Sequence, residues 1–322
     1  MNQPAPRASL SLTFNLAWAH TVRVLFEPFD LGKWFILGFC AWLAALGEQG
    51  FGFGGQFPGQ IKGANPKPGQ FNFNPGEIAS KAADFWHSNF TWLLPVVVFG
   101  GLAVIALGLA LQWLNSRGKF MLLHCVAYNR AEVRNPWELY ARSANRYFVF
   151  RILVGFSMAL VTLPIAGLIA FGIYSGLHTG IWSPLRILAM TASGLFIVAP
   201  LALLTFVGLK LTTDFGIPIM FKLNCGPVEA WRHLWPIITQ RLGSVVLYLL
   251  FSLLLAVAIG IGVLALVLVT CCTAACLLII PYVGTVFLLP TFVFLRSFSA
   301  LYFGQLAPEF DVFPDPSPLR FG

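Results

Sequence analysis

The sequence predicts an all-α polytopic membrane protein: six transmembrane helices arranged as three hairpins, each preceded by a cytoplasmic interfacial helix. Composition, the spacing of charge and the side on which basic residues fall all point to it. Apolar residues make up 58% of the 322-residue chain and charged residues only 10%, whereas a soluble domain carries about a quarter charged. So few charges cannot cover a soluble surface of this size, and a mean hydropathy of +0.79 excludes a disordered chain. The bilayer is the remaining solvent.

Stretches free of Asp, Glu, Lys and Arg set the elements in order, since a spanning helix needs roughly 20 apolar residues. An amphipathic cytoplasmic segment (1–30) leads into the first span, 31–48. It is the shortest: only 14 uncharged residues separate Lys33 from Glu48, so Lys33 snorkels and Glu48 sits at the headgroup level. An external Gly- and Phe-rich loop (49–90) follows, and the 32 uncharged residues between Asp84 and Arg117 hold the second span, 92–114. A cytoplasmic connection (115–149) leads to the third span, 150–174, largely within the 34-residue gap from Arg151 to Arg186. The fourth, 188–209, fills the 23 residues before Lys210, and a second cytoplasmic connection (210–241) follows. The 54 residues between Arg241 and Arg296 are too many for one span and suit two, 242–269 and 276–298, turning at the polar interruption 270–275. The tail (299–322) is cytoplasmic, and residues 1–322 form a single membrane domain.

Orientation follows from Lys and Arg. With six spans, 16 of the 20 basic residues fall on the side that holds both termini, leaving Lys62, Lys67, Lys81 and Arg186 opposite. Both termini are therefore expected in the cytoplasm. The net charge of +8 reads as this topology signal plus attraction to anionic headgroups. With no dense basic stripe, nucleic acid is not an expected partner. A cleaved signal peptide is not expected either, because Glu27 and Asp30 precede the first span.

An internal repeat is suggested by two helix starts, N-P-W-E-L-Y at 135–140 and G-P-V-E-A-W at 226–231, 91 residues apart. Each sets Pro at the first helical position and Glu at the third, where it complements the positive helix end. Ala17-Trp18-Ala19-His20 similarly pairs with Ala230-Trp231-Arg232-His233. Three units result, the first carrying an external insertion at 49–76 with eight Gly, four Pro and five Phe, expected to be a mobile loop. The interfacial helices are expected to bury apolar stripes: Leu10, Phe14, Trp18, Val22 and Leu25 in the first, Trp137, Tyr140, Ala144 and Phe148 in the second. Glu138 stands four residues before Arg142, a supportive pair.

Few residues suggest chemistry. Cys271, Cys272 and Cys276 fall at the external turn of the last hairpin, where thiols can exchange disulfides or hold a soft metal. They equally suit helix packing as small apolar residues. The five histidines show no metal spacing, and His20 and His233, with Trp18 and Trp231, read as headgroup-level residues. Gly155-Phe156-Ser157-Met158-Ala159 approximates a nucleophile elbow but lies in a span without a strand. Charges beside hydrocarbon are the better candidates. Arg151 opens the third span, Lys210 and Asp214 lie one turn apart and can pair, and Arg296 has apolar residues on both sides. They either snorkel to the interface or line a cytoplasmic vestibule. No metal, cofactor or catalytic residue is expected.

Three runs carry a resemblance: A-W-A-H-T-V-R-V-L-F-E-P-F-D-L-G-K-W-F-I-L-G-F at 17–39, E-A-W-R-H-L at 229–234 and P-Y-V-G-T-V-F-L-L-P-T-F-V-F-L-R-S-F at 281–298. They resemble an uncharacterised bacterial six-helix membrane family, distantly similar to the membrane domain that precedes some glycerophosphodiesterases. The phosphodiesterase catalytic domain has no counterpart here. The resemblance implies a multi-pass protein of the bacterial cytoplasmic (inner) membrane. The expected function is a non-enzymatic scaffold or accessory factor whose partners are membrane lipids or other membrane proteins. A transporter or channel for a small or lipid-like solute is the alternative, and a membrane redox protein using the three cysteines the third.

Overall fold

The computed structural model describes residues 9–46, 75–179, 184–270, 278 and 280–313. All regular elements among them are helical: α1 Leu10–Phe26, α2 Leu31–Ala45, α3 Pro75–Tyr128, α4 Arg134–Leu139, α5 Ala141–Thr179 and α6 Pro184–Leu211. A π-helical turn, Thr212–Gly216, joins α6 to α7 Ile217–Leu223; then come α8 Pro227–Gln240, α9 Leu242–Val269, α10 Pro281–Phe287, α11 Leu289–Leu306 and a 3-10 turn, Pro308–Phe310.

Four stretches are long and apolar enough to cross a membrane: Leu94–Tyr128, Ala141–Ser175, Leu188–Leu223 and Leu242–Val269. They cover the second to fifth expected spans, the second from Leu94 rather than from 92, and α9 has the expected bounds. The two remaining candidates take other forms. Helix α2 has 15 residues, about 22 Å at 1.5 Å per residue and short of the roughly 30 Å hydrocarbon core. The last expected span is interrupted at Leu288 between α10 and α11, because Pro290 has no N–H to offer the helix and its ring crowds the preceding turn.

Three boundaries correct the sequence reading. Helix occupies 75–90, part of the expected external loop, because Pro75 sets a helix start and the run after Gly76 holds good helix formers. The remaining loop residues, 47–74, lie outside the described ones. The second interfacial helix is also not separate. After the short α4 the chain turns at Tyr140, and Ala144 and Phe148 already belong to the continuous α5. Pro136 accordingly sits inside α4 rather than at its first position, and Glu138 pairs with Arg134 at 3.4 Å. Finally, residues 299–306 of the expected tail are the buried end of α11.

The described chain divides into two compact units, Met1–Ala44 with Ser116–Gly322, and Ala45–Asn115. The described part of the second is the outer length of α3, which exposes Val, Leu, Ile and Phe from Leu94 onward. In the first unit, α11 is the central helix and is buried on nearly every side. Helix α1 packs along it, capped by the Ser9 hydroxyl at the Leu12 N–H. Its inward face is Thr13, Ala17, His20, Thr21, Val24 and Leu25; of the expected apolar stripe Leu25 is buried and Leu10 packs against the core, whereas Trp18 is 58% exposed. Small inward residues let two helix backbones approach closely. The inward hydroxyls are hydrogen-bonded: Thr21 Oγ1 donates to the Ala17 carbonyl at 2.7 Å, Thr13 Oγ1 donates to the Ser9 carbonyl at 2.7 Å, and Gln305 Nε2 of α11 donates to Thr13 Oγ1 at 3.0 Å.

Candidate functional site

Polar chemistry in the first unit gathers where α6 passes into α7. Pro218 explains the irregular backbone there. It lacks the N–H that would bond the Asp214 carbonyl, and its ring crowds that turn. The helix widens instead of breaking: the Ile217 N–H reaches back five residues to the Thr212 carbonyl rather than four to Thr213. The Thr213 carbonyl receives Arg296 of α11, whose Nη1 donates to it at 2.9 Å. Arg296 is only 8% exposed, so it turns into the protein rather than out to the headgroups.

The widened turn aims three consecutive side chains at three neighbours. Thr212 Oγ1 accepts from Trp231 Nε1 of α8 at 2.8 Å. Thr213 Oγ1 lies 2.8 Å from the Tyr147 hydroxyl of α5 and accepts from Lys119 Nζ of α3 at 3.4 Å. The Asp214 carboxylate accepts from Lys210 Nζ at 2.7 Å and from the Tyr248 hydroxyl of α9 at 2.9 Å. Arg151, one turn after Tyr147 on α5, places its guanidinium 5.9 Å from that ring's centre, within range of a cation–π attraction. Lys119, Lys210 and Arg296 thus meet Thr213 and Asp214, Arg151 adjoins through Tyr147, and the cluster joins six helices, α3, α5, α6, α8, α9 and α11.

The sequence-predicted residues fall into two groups. Arg151, Lys210, Asp214, Arg296 and Trp231 belong to this cluster, and the Lys210–Asp214 pairing anticipated from their spacing is present. His20, Trp18 and His233 lie elsewhere. His20 is buried within the protein, and its Nε2 meets the Val126 carbonyl at 2.9 Å. Burial pushes the imidazole below its usual range; the Val126 bond opposes this, and the Arg23 and Lys33 charges reinforce it. Trp18 meets the Phe294 ring edge-on, and His233 does the same to Phe310. Cys271, Cys272 and Cys276 lie outside the described residues. A different thiol pair is present, Cys40 and Cys125, with sulfurs 4.0 Å apart. Among the described residues no three His, Cys, Asp or Glu side chains gather as metal ligands.

Residues 13–302 match a family of unknown function, DUF7544. The chain belongs to DUF7544. No curated protein and no solved structure matches it. The DUF7544 match starts at Thr13 of α1 and ends at Tyr302 of α11, so it takes in most of both packed helices and every member of the cluster. Sequence reading missed Lys119, Tyr147, Thr213 and Tyr248. Their partners are 28 to 94 residues away, too far for any local spacing rule. Pro218 was the available signal: a proline four residues after Asp214 in an uninterrupted helical run marks a disturbed turn.

Proposed function

We propose that this chain is a non-enzymatic, six-span protein of the bacterial inner membrane that serves as a scaffold or accessory factor. Its three hairpins present a cytoplasmic face to lipids or to other membrane proteins. The observation that carries the reading is how the charges are used. Lys210 holds Asp214, Arg296 holds the Thr213 carbonyl and Lys119 holds Thr213 Oγ1, so the charged side chains tie helix ends together.

Six crossings draw support from chain direction. Helix α9 leaves the cluster near Ser244, and Tyr302 of α11 donates back to the Ser244 carbonyl at 2.8 Å. With 28 residues, α9 extends about 42 Å from that level, so residues 270–301 must return over the same height. Likewise α3 ends beside α1, with Val126 bonded to His20, which asks the chain between α1 and α3 to cross once. The 16 basic residues on one side support cytoplasmic termini.

The cytoplasmic face would meet its partner through aromatic residues that stay largely exposed, Trp18 of α1, which touches Phe294 along one edge, and Trp235 of α8. Deleting α1 would remove half of the α1–α11 pair, so point changes are the cleaner test. Trp18→Ser with Trp235→Ser should reduce co-purification of lipid or partner from mild detergent while thermal stability stays unchanged. Undiminished co-purification would refute the reading. A second reading, transport of a small or lipid-like solute, draws on the convergence of Arg151, Lys210 and Arg296 beside a π turn, a geometry frequent at functional sites. Uptake of a solute into proteoliposomes, lost with Arg296→Gln, would favour it.

A further inference from the structure

We infer that Cys40 of α2 and Cys125 of α3 form an oxidisable thiol pair: a peroxide closes them into a disulfide that ties the two helices together and takes a donor from the Glu132 carbonyl, and a small thiol reopens it.

Helix register brings the two sulfurs together. Contacts run along α2 and α3 in antiparallel order. At one end a Cβ on Gly118 would lie 2.4 Å from the Ala44 nitrogen, so the two backbones nearly touch. At the other, Lys33 Nζ donates to Asn129 Oδ1 at 2.7 Å. Cys40 precedes Ala44 by about one turn and Cys125 follows Gly118 by about two, so each shares a helix face with that close crossing. The sulfurs sit 4.0 Å apart, and both residues are fully buried. They need about 2 Å of further approach to reach bonding distance. A soft metal ion between them would require buried thiolate charge, whereas a disulfide leaves the apolar site neutral.

The order of the S–H bonds assigns the two thiols different parts. Cys125 Sγ donates its one proton to the Glu132 carbonyl at 3.3 Å, so the proton between the sulfurs belongs to Cys40. A donor aimed at Cys125 favours its thiolate, the nucleophilic form. Residues 131–133 beside Cys125 are only half-buried, which gives a small neutral oxidant a way in, whereas Leu37 and Ala41 of the Cys40 turn are fully buried. Cys125 therefore attacks first. Its sulfur bonds one peroxide oxygen, the O–O bond breaks, and the departing hydroxide takes the Cys125 proton as water. The Cys40 sulfur then attacks the Cys125 sulfenic acid: the S–S bond forms, the S–O bond breaks, and the Cys40 proton leaves in a second water. Two thiols are oxidised to one disulfide and one peroxide is reduced to two waters. Cys125 then has no proton left for Glu132.

The full chain in mild detergent is treated with hydrogen peroxide, quenched with N-ethylmaleimide, digested with trypsin and examined by mass spectrometry. A parallel sample receives dimedone, which traps sulfenic acids. In the parent protein the Cys40 peptide, 34–62, should appear joined to the Cys125 peptide, 120–130, and dithiothreitol should abolish the joined species. Cys40→Ala should lose it and accumulate a dimedone adduct at Cys125 that the parent lacks. Hydrogen exchange at 129–133 should quicken in the oxidised parent and return on reduction. No joined peptide in the folded parent, its appearance only after unfolding, or a Cys125 disulfide to any other cysteine would overturn the pair. A parent adduct equal to that of Cys40→Ala would remove Cys40 as the second thiol, and unchanged exchange in the joined protein would remove the effect on Glu132. The joined peptide is read on the parent, so that arm decides the pair even where a variant fails to fold.

Discussion

Arg296 Nη1 donates to the main-chain oxygen of Thr213 at 2.9 Å, joining residues 83 apart in sequence. The acceptor is a carbonyl that the π turn withdraws from the helix ladder, so the arginine's role depends on a proline five residues further on. Arg296→Gln should destabilise the protein by about 2 kcal/mol, the scale of a lost charge-assisted hydrogen bond. Pro218→Ala restores the missing N–H and should reduce the added cost of Arg296→Gln. Thermal unfolding in detergent of both single variants and the double variant measures the coupling. Strict additivity would contradict the dependence.

Tyr248 and Lys210 share one carboxylate. Tyr248→Phe keeps the ring stacked near Phe215 and Tyr302 and removes one donor from Asp214. It should cost about 1 kcal/mol. Lys210→Met should cost about the same, since the lysine is partly exposed and solvent weakens the pair. Asp214→Asn combined with Lys210→Met should be milder than the sum of the single changes, read by the same unfolding assay.

His20 gives the fold a pH dependence with a definite sign. Its imidazole is held below the usual range, first by burial, then by Arg23 and Lys33, against the Val126 bond. An unfolded histidine takes its proton at about pH 6.5, so the unfolded chain binds more protons below that value. Stability is therefore complete above about pH 6.5 and falls as pH drops toward the depressed native pKa. The unfolding midpoint should be lower at about pH 5.5 than at about pH 7.5, with the slope reduced in His20→Asn. An unchanged slope would remove His20 as the cause.

Much of this architecture is legible before any coordinates. The limits of α9 follow from hydropathy because a lipid-facing helix is apolar all round. Hydropathy alone does not show that α11 is enclosed by other helices, nor that Leu288 interrupts it. The α1 stripe holds only in part: Leu25 is buried as expected, but Trp18 remains outside, while Thr13, Ala17 and Thr21 are chosen for close approach. The cluster was half visible. Lys210 and Asp214 are one turn apart and declare themselves, but Lys119 and Tyr248 reach Thr213 and Asp214 only through tertiary packing.

Two glycines on long helices should behave oppositely. A Cβ at Gly118 of α3 would lie 2.4 Å from the Ala44 nitrogen and 2.5 Å from the Leu43 carbonyl carbon, both backbone atoms that cannot turn aside. Gly118→Ala should therefore destabilise by about 1–3 kcal/mol or prevent accumulation of the protein. At Gly243 of α9 nothing lies within 4 Å, so Gly243→Ala should be neutral or stabilising by up to about 1 kcal/mol through helix propensity. Expression level and unfolding midpoint compare the two.

The pairing of α1 with α11 has a consequence for synthesis. The Ser9 N–H bonds Gln305 Oε1, 296 residues onward. At ribosomal rates, roughly 15 to 60 s separate the two ends. During that interval α1 lacks its α11 mate, and its Thr13 and Ala17 face stays open to chaperones, proteases or the membrane surface. Only a chain translated through α11 can shelter that face of α1, and one terminated before α11 leaves it uncovered.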